Sequence, residues 1–250
     1  MRKGYAYGLV LGWLVLSNSV CAEMLRYAVS DESWPPYWVV DEGRISGVFS
    51  EVMTELERRL DVELQAARPV PPLRAQKQFA DGQVQLECCV SQAWRTAPEQ
   101  QAVTLWSEPL LEAQALLVFP RGKAFTYADL RDLRGKTIAT VRGYGYAGSQ
   151  YFRRLDGPDG LALLEQVAKG RSHAGIIDRL ELDYLRHRHA ELGWLLSDIE
   201  EGPLVSRSAL RVRLHVSRQA WLPALNAAIL GMRRDGALQD ILARYAAPLP

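Results

Sequence analysis

Residues 48–66 read VFSEVMTELERRLDVELQA. Phe49, Val52, Met53, Leu56 and Leu60 recur three and four residues apart, which places them on one helix face. The spacing predicts an amphipathic helix over 48–61, and Val62 to Ala66 reads as a strand directly after it. Upstream, Met24 to Val29 is a short strand in which Leu25, Tyr27 and Val29 alternate, followed by an aromatic and proline-rich loop, Asp31 to Tyr37. Downstream, Arg74 to Phe79 is a short helix ended by Gly82, and Val84 to Val90 is the next strand. Strand, helix, strand, helix, strand is the order that builds a parallel sheet covered by helices.

The same grammar restarts near residue 125. Ala113 to Phe119 is an apolar strand broken by Pro120-Arg121-Gly122. Thr126 is expected to cap a helix over Tyr127–Leu133, with Asp129 in its first turn. Thr137 to Val141 is a strand ended by Gly143-Tyr144-Gly145. Helices are expected around Ser149–Leu155 and over Leu161–Lys169, and Ala174 to Ile177 is a strand ending at Asp178. Leu210 to Val216 is a late strand. Two helical stripes follow, one from Trp221 to Met232 and one from Leu238 to Tyr245. A return of this last segment to the first unit predicts an α/β chain of two lobes, each a β-sheet flanked by helices, joined by a hinge of two crossings. Residues 23–118 and 213–250 would form lobe one, and 119–212 lobe two.

Composition narrows the class. The 250 residues are 48% hydrophobic and 24% charged, with a formal net charge of +1 and no basic run. Phosphate backbones need clustered Lys and Arg, so a nucleic-acid partner is not expected. Arg2 and Lys3, the apolar run Tyr5–Leu16 and the small residues of Val20-Cys21-Ala22 read as a signal peptide over residues 1–22, cut after Ala22. This implies export to the periplasm and a mature net charge of −1, because only two basic residues leave. Of the three cysteines, Cys88 and Cys89 remain. As neighbours they cannot staple distant segments, and alternation along a strand would turn at most one towards a ligand. No Cys or His cluster has metal-ligand spacing, so neither metal nor cofactor is expected.

The order of segments resembles the bacterial family 3 solute-binding proteins, the amino-acid-binding group with the type II periplasmic fold. Six pieces carry the resemblance. Tyr27-Ala28-Val29-Ser30-Asp31 with Trp34-Pro35-Pro36-Tyr37 looks like the opening strand and aromatic loop. Ile45-Ser46-Gly47-Val48-Phe49 is similar to the glycine turn into the first helix. Gly82-Gln83-Val84-Gln85, Leu105-Trp106-Ser107-Glu108-Pro109, Asp132-Leu133-Arg134-Gly135-Lys136 and the run Gly170 to Asp178 follow in family order. The resemblance implies a monomer that closes on an amino acid or related compound and hands it to an inner-membrane ABC permease or to a sensor. A few relatives are dehydratases of prephenate-like acids. That reading needs a positioned general acid, and His173, His187, His189 and His215 form no catalytic pair. Glu87 or Asp178 could serve, but no motif marks them, and no catalytic residue is expected.

An amino acid asks for an anion anchor, a carboxylate for its ammonium and an apolar wall. The resemblance puts Asp178 on the ammonium; its other reading is the N-cap of a helix over Leu180–Arg186. It also implies an Arg six residues before Trp106, but Gln100 stands there, leaving Arg95 as the candidate anchor. Trp34 and Tyr37 are candidates for the aromatic wall, or for lobe packing. Arg74 is a candidate through its proline-then-Arg setting, or a solvated helix charge. Cys89 is the candidate from the strand end, against an ordinary buried Cys. Gly143 and Tyr144 form a turn that can offer N–H groups to an anion, or that needs glycine only for its backbone angles. Gly143, Gly145 and Gly148 also spell a dinucleotide fingerprint, but the acidic residue at the matching distance, Glu165, lies inside a predicted helix.

Overall fold

The computed structural model describes residues 23–188 and 193–246. The signal-peptide reading of 1–22, and His189, lie outside the described residues. In chain order the elements begin with β1 (Met24–Ala28), β2 (Val39–Asp41), β3 (Arg44–Ser46), α1 (Val48–Leu60), β4 (Glu63–Ala66), α2 (Pro72–Ala80) and β5 (Leu86–Val90). Next come α3 (Pro98–Ala102), β6 (Thr104–Trp106), β7 (Leu111–Pro120), β8 (Thr137–Val141), β9 (Arg153–Gly157) and α4 (Gly160–Ala168). The chain continues through β10 (Ala174–Asp178), α5 (Arg179–Arg188), α6 (Gly193–Ser197), β11 (Ile199–His215), α7 (Leu222–Arg234) and α8 (Ala237–Ala246).

The strands join in the order β4-β1-β5-β11-β7-β10-β8-β9, with β6 also on β11. β1 runs parallel to β4 and β5, and β8 runs parallel to β9 and β10, as the βαβ order predicts. The long strands β7 and β11 run antiparallel and stitch the two lobes together. β11 pairs with β7 over Ile199–Leu210 and with β5 and β6 from Arg211 onward. The stripe of α1 is buried in one core with Leu25, Leu86 and Leu214, and with Leu225, Ile229 and Met232 of α7 and Ile241 of α8. Two further clusters cover the faces of the β7-β10-β8-β9 part of the sheet: Leu116, Leu163 and Leu182 on one, Leu117, Ile138 and Ile176 on the other.

Two expected helices are corrected. Residues 149–155 form a three-residue 3-10 turn, Ser149–Tyr151, and then the strand β9. Gly148, at φ +73, breaks helical continuity, and β8 offers an open edge to which Arg153–Gly157 adds in register. The charged side chains of this edge find partners there: Arg153 donates to Thr137 Oγ1 at 2.7 Å and Arg154 pairs with Asp156 at 2.7 Å. Over 127–133 only a 3-10 turn, Leu130–Leu133, forms, and Asp129 rather than Thr126 caps it. Asp129 accepts from Arg131 N while Asp132 accepts from the N–H groups of Ala128 and Asp129, a reciprocal box that fixes the start one turn late. The β2–β3 hairpin, turning on Glu42 and Gly43 at positive φ, was not predicted, nor was the first half of β11.

The aromatic loop and α1 are one unit. Trp34 and Trp38 exchange backbone hydrogen bonds at 2.7 and 2.9 Å, closing the loop. The carbonyls of Pro36 and Tyr37 then accept from Val48 N and Phe49 N, two of the orphan donors at the start of α1. Gly47 makes this possible. Its φ is +103 and ψ 177, a region that only glycine adopts readily, and a Cβ there would stand 2.6 Å from Pro36 O. Gly47→Ala is expected to destabilise the chain by about 2–3 kcal/mol, read as a lower urea midpoint at unchanged slope.

Candidate functional site

Between the lobes lies a cavity of about 830 Å3. Lobe one supplies Trp34 from the aromatic loop, Glu87, Cys88 and Cys89 from β5, and Trp94 and Arg95 from the turn after it. Lobe two supplies the turn after β8, Gly143 to Tyr146, and the end of β10 with the first turn of α5, Asp178 and Glu181. Of the eight predicted site residues, Trp34, Cys89, Arg95, Gly143, Tyr144 and Asp178 line this cavity. Tyr37 is buried behind the wall, and its hydroxyl reaches Asp178. Arg74 is exposed on α2; its neighbours Pro72 and Ala75 line the cavity and it does not.

Trp34 is the hub of the wall. Its ring lies 4.3 Å from Tyr37, 5.8 Å from Trp94 and 6.2 Å from Tyr144, centroid to centroid. The last contact crosses between the lobes. So does the hydrogen bond that Tyr144 donates to Ser33 O at 3.4 Å, and so does the bond from Tyr37 Oη to Asp178 Oδ1 at 2.9 Å. Asp178 also accepts from Leu180 N and Glu181 N, as an N-cap of α5, and from Gln114 N. Asp178 thus caps α5 and lines the cavity as well. Burial raises the pKa of Asp178, and its four donors only partly offset that.

Glu181 was not singled out in the sequence. Asp178-Arg179-Leu180-Glu181 has the spacing of a capping box, which hides the second carboxylate as a helix end. Instead, the Glu181 carboxylate turns towards the start of α4 and lies directly against Gly160, where a side chain would have no room. It is 5% exposed. Burial, then repulsion from Asp178, push its pKa up to about 8, against the Trp34 indole hydrogen bond that favours the charged form.

On the other side, Glu87 is gripped by two arginines. Arg95 reaches both of its oxygens, at 2.5 and 3.3 Å, and Arg213 bonds Oε2. Burial would raise the pKa of Glu87, but the two guanidinium groups outweigh it and hold the carboxyl below its usual range. Arg213, fully buried, also donates to Gln100 Oε1 at 2.7 Å and to Thr104 Oγ1 at 3.0 Å, and its guanidinium stacks 4.0 Å over Phe79. Thus Gln100, standing where the resemblance led one to expect an arginine, accepts from an arginine delivered by β11. Arg213 was also missed. In Leu210-Arg211-Val212-Arg213-Leu214 it falls on the polar face of an alternating strand, which ordinarily meets water.

Cys88 and Cys89 both line the cavity, contrary to the expected alternation. Their sulfurs are bonded to one another, which brings both side chains to the same side of β5. Thiol titration of the chain beginning at Glu23 should find no free thiol before reduction and two after it.

The family model for bacterial extracellular solute-binding proteins, family 3, matches residues 25–248. No curated protein matches the chain. Among solved structures, the GluR0 ligand-binding core in complex with L-glutamate aligns with a TM-score of 0.70 at 16% identity, covering 92% of this chain and 100% of that one. A histidine kinase sensor domain with similarity to periplasmic binding proteins gives 0.69 at 15% identity, covering 92% and 97%. A mutant of ArgBP from T. maritima gives 0.65 at 18% identity, covering 89% and 94%. At these identities the structural likeness shows the fold, which is that of type II periplasmic binding proteins.

Proposed function

The chain belongs to the bacterial extracellular solute-binding proteins, family 3, and from that premise we propose that it is a periplasmic binding protein that closes its two lobes on an amino acid or related small polar ligand and delivers it to an ABC-type transporter. The family implies a small-molecule ligand and a transporter or sensor partner. The observation that carries the finer reading is the cavity itself. Its walls come from both lobes, and Tyr37 and Asp178 bond from one lobe to the other behind the wall. A ligand lying there touches both lobes, so it favours the closed arrangement by its differential contacts.

In this reading the lobes are residues 23–118 with 213–250, and 119–212. β7 and β11 are the strands on which they flex, and the protein acts as a monomer without catalysis. Of the structures similar to this chain, the GluR0 core is a complex with L-glutamate and an ancestral arginine-binding protein is bound to arginine. These two amino acids are candidates for a ligand panel. Thermal unfolding against the common amino acids and small amines is the test. A ligand present at about 100 times its Kd adds about 2.7 kcal/mol, a rise in Tm of roughly 5–10 °C for a chain of this size. The reading fails if no member of the panel moves Tm.

A further inference from the structure

The walls of the cavity differ in charge, and the difference says what kind of ligand fits. On lobe one the arginines are already engaged. Every nitrogen of Arg95 that forms a hydrogen bond does so within its own lobe: Nε and Nη2 donate to Glu87, and Nη1 donates to Trp94 O. Arg213 lies behind it, bonded to Glu87, Gln100 and Thr104. Arg207, which lines the cavity from the lobe-two part of β11, pairs with Glu112 of lobe one at 2.6 Å. Among the described residues that line the cavity, each guanidinium already has a carboxylate partner.

Lobe two is the reverse. Asp178 and Glu181 are 8% and 5% exposed, and both line the cavity. Among the described residues neither has a cationic partner. Glu181 is the more telling of the two. Asp178 is occupied as a cap and by Tyr37, whereas the Glu181 carboxylate has the Trp34 indole as its neighbouring donor. A carboxylate buried to this degree without a countercharge is costly unless something supplies the charge or a proton neutralises it. Trp34, Trp94 and Tyr144 turn aromatic surface to the same space, and ring faces attract cations.

We infer that the cavity takes a small organic cation, bearing an amine or guanidinium group that lies between Glu181 and Asp178 against the faces of Trp34 and Tyr144. The inference rests on the reading of the cavity as the ligand site and goes beyond it. One carboxylate answers the ammonium of any amino acid; a second asks for a ligand with net positive charge.

A pH dependence follows. Glu181 is faced by Asp178 from β10, by Asp159 at the start of α4, by Tyr144 and Tyr146 from the turn after β8, and by Trp34, Tyr37 and Glu32 from lobe one. No cation is among them. With its pKa raised to about 8, Glu181 holds a proton at neutral pH in the empty cleft, and a bound cation takes the place of that proton. Binding therefore releases a proton and tightens as pH rises towards 8.

The test is calorimetric titration of the full chain with L-arginine, L-lysine, putrescine, L-glutamine and L-glutamate at pH 6, 7 and 8. The cationic compounds are expected to bind at least 100-fold tighter than glutamine or glutamate. Their affinity should rise by up to about tenfold per pH unit, the limit for one linked proton. Titration in two buffers of different ionisation heat should show that proton leaving. Glu181→Gln should remove both the slope and the proton release. If glutamine or glutamate binds as tightly as the cations, or if Glu181→Gln leaves the pH slope intact, the inference is wrong while the binding-protein reading stands. If nothing binds, both fall.

Discussion

Arg213→Ala is expected to destabilise the chain by about 3–5 kcal/mol, the largest effect of any single substitution outside the central apolar core. The reason is what it leaves behind. Glu87 loses one of its two guanidinium partners, while Gln100 Oε1 and Thr104 Oγ1 lose the donor that reaches them at 2.7 and 3.0 Å. The vacated space lies under Phe79, with no solvent to fill it. Breaking one side of a buried ion pair costs far more than removing the pair whole, because the remaining charge stays desolvated. The double variant Glu87→Gln with Arg213→Met should therefore recover much of the loss, since Gln can still accept from Arg95. Urea unfolding reads both. A loss under about 1 kcal/mol for Arg213→Ala would mean that water or a neighbour compensates, and that the buried network does not hold lobe one together.

Asp178 supports the second large prediction, because its two roles can be separated. Asp178→Ala removes the acceptor for Tyr37, Gln114 N, Leu180 N and Glu181 N together. Loss of the cap alone costs about 1 kcal/mol, up to about 2. Loss of a buried charge opposite a ligand cation costs about 2–5 kcal/mol, which is roughly 30-fold or more in Kd. Asp178→Asn divides the two. Asn caps a helix about as well as Asp, so stability should stay within about 1 kcal/mol of the parent. Affinity should still fall by at least about 30-fold, because the charge is gone. If Asn binds like the parent, Asp178 serves α5 and the lobe contact with Tyr37, and the ligand cation lies elsewhere.

Much of the fold was legible because its signals are local. The α1 stripe, the strand before it and the second βα run each announce themselves within about fifteen residues. The two-lobed order follows from where the grammar restarts and where the last helices return. What stayed hidden depended on pairing. β9 carries Arg153, Arg154 and Asp156, and reads as a helix until the open edge of β8 gives those side chains partners. The first half of β11 contains Glu200, Glu201, Gly202 and Pro203, a poor strand by propensity. It is tolerated because the register slips between Glu201 and Leu204, where Pro203 need not donate.

The site divides the same way. Trp34, Arg95, Tyr144 and Asp178 follow strand ends or sit in the aromatic loop, where a ligand wall is expected. Glu181 and Arg213 gave no such signal. One has the spacing of a capping box and the other the phase of a solvent-facing strand position. Only the three-dimensional neighbours, Gly160 and Trp34 for Glu181, and Phe79 and Gln100 for Arg213, show that both are buried. The departure at Gln100 looked like a lost anchor. In the structure it is part of an internal network that engages Arg95 and Arg213 on Glu87, and the inferred preference for cations builds on that.

The central claim is that one ligand lies in the cavity and touches both lobes. A crystal structure of the chain with the tightest-binding compound of the panel tests it most directly. The account predicts ligand density bounded by Trp34 and Trp94 on one side and by Tyr144, Asp178 and Glu181 on the other. Ligand bound outside this cavity, or held by one lobe alone, would contradict it.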